Sequence, residues 1–304
     1  MNFIQSIFLG LVQALTEYLP VSSSAHIRIV GDLMIGRDPG AAFTAIIQIG
    51  TELAVILYYR RDIIRILGSW FGSLFGKEGK DWKSRLGAHN SDTQMGWFII
   101  IGTLPILIAG LLFKDVIETT LRNLWITVTV LALFGVLLWV FDARSKQVKT
   151  MDEMTAKDAL IFGIGQMLAL IPGVSRSGGT ITFGRAMGYT REAAVRTSFL
   201  MAIPAVFGAG ILEAVSAVKD VNACSATKAA DACTAIGAFP GWPATIAATI
   251  VAFLVGYIGI IAFRKFVSTF SYKAFAIYRI ALAVVVALLL ITGVLPAIDP
   301  SMAG

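Results

Sequence analysis

Six apolar stretches, at 41–59, 96–113, 124–141, 193–217, 242–263 and 274–294, are separated by segments in which the polar and charged residues collect. Each is long enough to cross the hydrocarbon layer as a helix. Two further apolar stretches, 3–36 and 158–190, are broken by Pro, Gly, Ser and ionisable residues. Backbone that leaves the helix at membrane depth must be sheltered by protein or face water. These two stretches therefore predict re-entrant helical hairpins rather than spans. The pattern predicts an all-α integral membrane protein.

Composition agrees with that pattern. The 304 residues are 57% hydrophobic and only 14% charged, with a mean hydropathy of +0.78, whereas soluble domains carry about a quarter charged residues. The net charge of +6 is no nucleic-acid signature, because the basic residues are sorted by loop. Segments 60–95, 142–157 and 264–273 hold 14 Lys and Arg, against 5 in 31–40, 114–123 and 218–241. The positive-inside rule assigns the first group to the cytoplasm and both termini to the outside. The first basic residue is Arg28, so the charged start of a secretory signal is missing. Cys224 and Cys233 share the polar loop 218–241, where a disulfide could close it; their surroundings lack the partners of a zinc site.

Shifting the chain by 153 residues superimposes its halves: Gly10 on Gly163, Gln13 on Gln166, Ser22 on Ser175, Ser24 on Ser177 and Gly31 on Gly184. Each half, 1–145 and 155–298, is then one re-entrant hairpin followed by three spans. An odd number of spans forces the second half into the membrane upside down. The expected fold is thus an inverted-topology repeat within a single membrane domain, with the two broken turns facing each other near the midplane.

The turns carry the candidate chemistry. Pro172 to Thr180 reads Pro-Gly-Val-Ser-Arg-Ser-Gly-Gly-Thr. Small residues free backbone N–H groups, Arg176 offers a planar fork of donors, and Ser175, Ser177 and Thr180 add hydroxyls, which together suit a phosphate. The Lys-Ser/Thr ending of a Walker loop is missing. The first turn holds Gln13, Glu17, Pro20, Ser22, Ser23, Ser24 and His26, with Gln13 and Glu17 on one helical face. Acid, hydroxyl, imidazole and arginine suit displacement at phosphorus. Either His26 or Ser23 would attack or relay a proton. Glu17 would orient the histidine or hold a divalent cation. Glu52, inside the 41–59 span with Gln48 one turn before it, reads as a satisfied structural carboxylate ahead of a buried ion ligand, and Arg279 either snorkels to the interface or adds a phosphate contact.

On these motifs the chain resembles the bacterial undecaprenyl-diphosphate phosphatase family, of the bacitracin-resistance type. The matching segments are Gln13 to Glu17, Pro20 to His26 and Pro172 to Thr180, supported by Ile47 to Gly50, Gly102 to Pro105 and Phe275 to Arg279. The resemblance implies hydrolysis of a C55 polyprenyl diphosphate to the monophosphate carrier lipid of cell-wall synthesis. It implies a site open to the outer face of the bacterial plasma membrane and a divalent cation, Mg or Ca. The functional positions it carries over are Glu17, Ser23, His26, Ser175, Arg176, Ser177, Thr180 and Arg279, with Gln13 and Ser24 beside them on the substrate side. The chain departs from the family at Gln13, where many members have Glu, so Glu17 alone is carried over as a metal ligand. Ser24-Ala25 stands for the common Thr-Gly, and the loop with the two cysteines is longer than usual.

The rival reading is a transporter or flippase for an anionic polyprenyl lipid, because broken helices in inverted repeats are the usual plan of secondary transporters. A transporter needs Arg176 and the hydroxyls, but has little use for His26 beside Ser23 and Glu17.

Overall fold

A computed structural model describes residues 1–227 and 239–298. The described chain is helical: α1 (Phe3–Thr16), α2 (Ser23–Ile35), α3 (Ala41–Leu74), the short α4 (Trp82–Arg85), α5 (Ser91–Leu112), α6 (Lys114–Glu118), α7 (Leu124–Arg144), α8 (Ala156–Met167), α9 (Arg176–Ala186), α10 (Arg191–Thr227), α11 (Trp242–Thr269) and α12 (Lys273–Ile291). Among the described residues no strand forms, only an isolated bridge between Lys149 and Tyr189. Six of these helices, α3, α5, α7, α10, α11 and α12, are long and apolar enough to cross a membrane, and they coincide with the six apolar stretches. The protein is a multi-pass, all-helical membrane protein. The pairing of Cys224 with Cys233 lies outside the described residues.

The helix ends follow local chemistry. Asn90 starts α5 by accepting from the N–H groups of Asp92 and Thr93, and Asn123 starts α7 by accepting from Trp125. Thr155 and Asp158 form a reciprocal capping box at α8. The predicted span 41–59 runs on as helix to Leu74, because its charged continuation is held by ion pairs rather than by lipid: Asp62 bonds Arg196 at 2.7 Å and lies 3.3 Å from Arg65.

The two broken stretches form helical hairpins. In the first, Gln5 donates to the carbonyl of Met34, bringing the start of α1 to the end of α2. In the second, α8 packs against α9. Each hairpin's leading helix lies against a long helix from the other half of the chain, α1 on α11 and α8 on α5. Glycine permits both approaches: a side chain at Gly10 would strike the carbonyl of Ala248, and one at Gly163 the backbone of Gly102.

Polar ends knit into two faces. Arg264 bonds Glu192, Asp142 receives Arg185, Arg191 and the backbone of Tyr272, and Lys149 bonds Asp158. With the pair between Arg196 and Asp62, these join the three basic segments to the base of the second hairpin. Elsewhere Asp38 receives Arg28 and Arg122, and Leu124 bonds Ala297, which joins the base of the first hairpin to the segments following α5 and α12. Between these faces lies an aromatic core that includes Tyr18, Phe162, Phe199 and Phe263. Leu111, Val136, Leu254 and Leu288 are among the large apolar side chains exposed around the outside.

Candidate active site

Both broken turns end on a serine in left-handed backbone, Ser22 at φ 73° and Ser175 at φ 69°. Residues other than glycine rarely adopt this conformation, and it is typical of places where a site needs an awkward backbone. Each serine precedes a helix and pairs with the hydroxyl two residues on, Ser22 with Ser24 and Ser175 with Ser177, both at 3.2 Å. The first residues of the two helices, Ser23 and Arg176, are separated by the same 153 positions. They meet on one carboxylate.

That carboxylate is Glu17, only 4% exposed. Its Oε2 accepts from Ser23 Oγ at 2.6 Å and from Gln13 Nε2 at 2.8 Å. Its Oε1 accepts from Arg176 Nη2 at 2.7 Å and from Gln48 Nε2 at 3.1 Å. The same Nη2 reaches Glu52 Oε1 at 2.6 Å. Four polar atoms here remain buried without a hydrogen-bond partner: Arg176 Nε and Nη1, Gln13 Oε1 and Glu52 Oε2. Buried polar groups in folded proteins are nearly always satisfied, so an unfinished set of donors and acceptors marks a place for a ligand. Two helix N-termini, those of α2 and α9, converge on it and favour an anion.

His26 stands one turn into α2. Its Nδ1 lies 2.7 Å from the carbonyl oxygen of Ser22, and its Nε2 lies 2.6 Å from the hydroxyl of Tyr278. The structure therefore pairs Glu17 with Ser23. The expectation that Glu17 orients the histidine is corrected: the angle at which α2 leaves α1 sets Ser23 on the carboxylate, and both ring nitrogens of His26 are taken up by Ser22 and by Tyr278 of α12.

Three expected phosphate contacts also point elsewhere. Arg279 is fully buried and donates to the carbonyls of Pro20, Gly173, Val174 and Leu131, at 2.9, 2.6, 3.0 and 3.2 Å. It clasps both turns to α7. Thr180 bonds the carbonyls of Arg176 and Ser177 and the hydroxyl of Ser198 inside the α9 packing. Ser177 is held by the carbonyl of Leu19, so it too links the turns. Ser24 is exposed and lines a cavity of about 260 Å³, with Gln48, Pro172, Arg28, Asp38 and Arg122. Glu52, expected to be structural, shares Arg176, and Tyr278, for which the sequence suggests no role, meets His26. The sequence signal for Glu52 was a carboxylate inside a span; for Tyr278 only its place beside Arg279 was available.

Among the described residues no three of His, Cys, Asp and Glu converge as a metal site. The open acceptors, one amide and one carboxylate oxygen beside Glu17, are nevertheless of the kind hard cations take.

Fold and site together define a polytopic membrane protein with a buried serine–carboxylate–arginine centre made from two broken helices. The chain belongs to the family described as Bacitracin resistance protein BacA, which matches residues 6–285. Among its relatives, a protein of Bifidobacterium adolescentis named Undecaprenyl-diphosphatase is 86% identical over 295 residues, 97% of each chain. One of the same name from Bifidobacterium animalis subsp. lactis is 74% identical, covering 98% of this chain and 97% of its own. Another from Paenarthrobacter aurescens is 50% identical, covering 95% and 98%.

Proposed function

We propose that the protein hydrolyses undecaprenyl diphosphate to undecaprenyl phosphate and phosphate, recycling the carrier lipid and conferring bacitracin resistance. The observation that carries this reading is the 2.6 Å bond from Ser23 to Glu17, set beside the unpaired donors of Arg176. Ser23 Oγ attacks the terminal phosphorus and its proton passes to Glu17. The Oγ–P bond forms as the bridging P–O bond breaks, and undecaprenyl phosphate departs. Water then attacks the phosphoserine; its proton goes to His26, Ser23 recovers its own from Glu17, and phosphate leaves. Arg176 and the N-termini of α2 and α9 neutralise the non-bridging oxygens. A divalent cation of the Mg or Ca type, held by Glu17 with Gln13 Oε1 and Glu52 Oε2, would add charge neutralisation there. Ser23 is favoured over His26 as nucleophile because Nε2 is already engaged by Tyr278.

The halves 1–145 and 155–298 form an inverted repeat in this reading. The matched Ser22 and Ser175 backbones, the exchanged packing of α1 and α8, and hairpin bases tied to opposite polar faces support it. The cavity beside Ser24 adjoins the face carrying Arg28 and Arg122, which the charge bias assigns to the outside of the plasma membrane.

The test is phosphate release from undecaprenyl diphosphate by purified protein in detergent, with and without chelator. Ser23→Ala is expected to lose about a thousandfold or more, and His26→Ala about a hundredfold. No release from folded wild type under any cation would discard the enzyme in favour of the lipid transporter.

A further inference from the structure

Both ring nitrogens of His26 are committed. A carbonyl oxygen can only accept, so the 2.7 Å contact with Ser22 requires the proton on Nδ1. In the neutral ring Nε2 is then a bare lone pair, and the Tyr278 hydroxyl lies on it at 2.6 Å. The two rings are within 7° of parallel, with centroids 5.6 Å apart. Nothing else among the described residues hydrogen-bonds that hydroxyl. Tyr278 is held in place by its neighbour, because Arg279 anchors α12 to both turns. The tyrosine itself is 45% exposed, so its hydroxyl is not sealed in the core.

We propose that Tyr278 is the positioning residue of His26: with the Nδ1–H tautomer set by the Ser22 carbonyl, its hydroxyl holds the ring by Nε2 and governs proton access to that nitrogen. A phenol suits this task because it donates and accepts. It donates to the bare nitrogen, and after Nε2 takes up a proton it turns to accept from the N–H. Since Nε2 has one lone pair, a proton from water reaches it by passing to the phenol oxygen as the phenol proton moves to Nε2. No proton is lost or gained in that exchange. The proposal rests on the phosphatase reading, in which His26 takes the proton of the hydrolytic water.

The chain has only two histidines, His26 and the exposed His89, so the imidazoles can be read by ¹⁵N nuclear magnetic resonance of histidine-labelled protein. His89→Asn identifies the remaining ring. Wild type is expected to show His26 protonated on Nδ1 and bare on Nε2. Tyr278→Phe keeps the ring and should shift only the Nε2 resonance, toward that of an unbonded nitrogen. The same variant should lower kcat about tenfold to a hundredfold while KM stays within about twofold. An unmoved Nε2 resonance, or a proton on Nε2 in place of Nδ1 in wild type, overturns the proposal. So does an unchanged kcat. A folded wild type that releases no phosphate defeats the phosphatase reading itself and takes the proposal with it, an outcome separable from the others because the variant plays no part in it.

Discussion

Arg279 shows how one residue type serves two ends that sequence alone does not separate. An arginine in an apolar helix is costly and so announces a purpose, but the purpose depends on what surrounds it. Here four carbonyls, one from the first turn, two from the second and one from α7, take up its donors. Lysine would keep the charge but present its donors from one point, too compact for that fork. Each buried carbonyl left without a donor costs about 1–3 kcal/mol. Arg279→Lys is therefore expected to lower the thermal unfolding midpoint in detergent along with kcat. A phosphate contact would behave differently, raising KM with little change in the midpoint. Glu17, Ser23, His26 and Arg176 were legible in the sequence because residues of that chemistry are out of place among apolar neighbours. Their pairing was not, since whether Glu17 meets Ser23 or His26 is decided by the angle between α1 and α2. Tyr278 was hidden for the opposite reason: an amphipathic side chain in a membrane helix excites no suspicion.

At the scale of elements, the six spans could be read from hydropathy, whereas their ends could not. Hydropathy reports where lipid is, and α3 continues beyond it on ion pairs through Asp62 and Arg65. The hairpins were legible because Pro, Ser and Gly interrupt the apolar runs. Their close packing was written in single glycines that carry no signal of their own. Gly10 and Gly163 admit the backbones of Ala248 and Gly102, so that α1 and α8 can rest on helices from the opposite half. A methyl group at either position must push two backbones apart. Gly10→Ala and Gly163→Ala are each expected to destabilise the fold by about 1–3 kcal/mol. Gly208, also helical, has open space where a side chain would go. Gly208→Ala should leave the midpoint unchanged or raise it slightly, by helix propensity. Unfolding monitored by tryptophan fluorescence in detergent would separate the three, and equal behaviour at all three positions would refute the close-packing argument.

For the whole molecule, geometry separates two polar faces, and the charge bias is the argument for which of them faces outward. Ion pairs and hydrogen bonds gather the segments richest in Lys and Arg onto one polar face, together with the base of the second hairpin. The opposite face carries the base of the first hairpin and the cavity beside Ser24. Geometry alone says only that these are different sides. In the proposed reading the positive-inside rule supplies the sign, because translocating Lys and Arg is opposed in short loops and scarcely affected by Asp or Glu. A carrier lipid hydrolysed at the outer leaflet would then meet Ser23 without crossing the bilayer. Thiol labelling checks that sign in a variant whose two native cysteines are replaced by alanine. A cysteine in place of exposed His89, in the basic loop, should react with a membrane-impermeant reagent only after the cells are opened. A cysteine in place of exposed Thr120, on the face of the first hairpin, should react in intact cells. Reversed labelling would leave the chemistry of Glu17, Ser23 and Arg176 intact but turn the cavity toward the cytoplasm, and the substrate would have to be drawn from the inner leaflet.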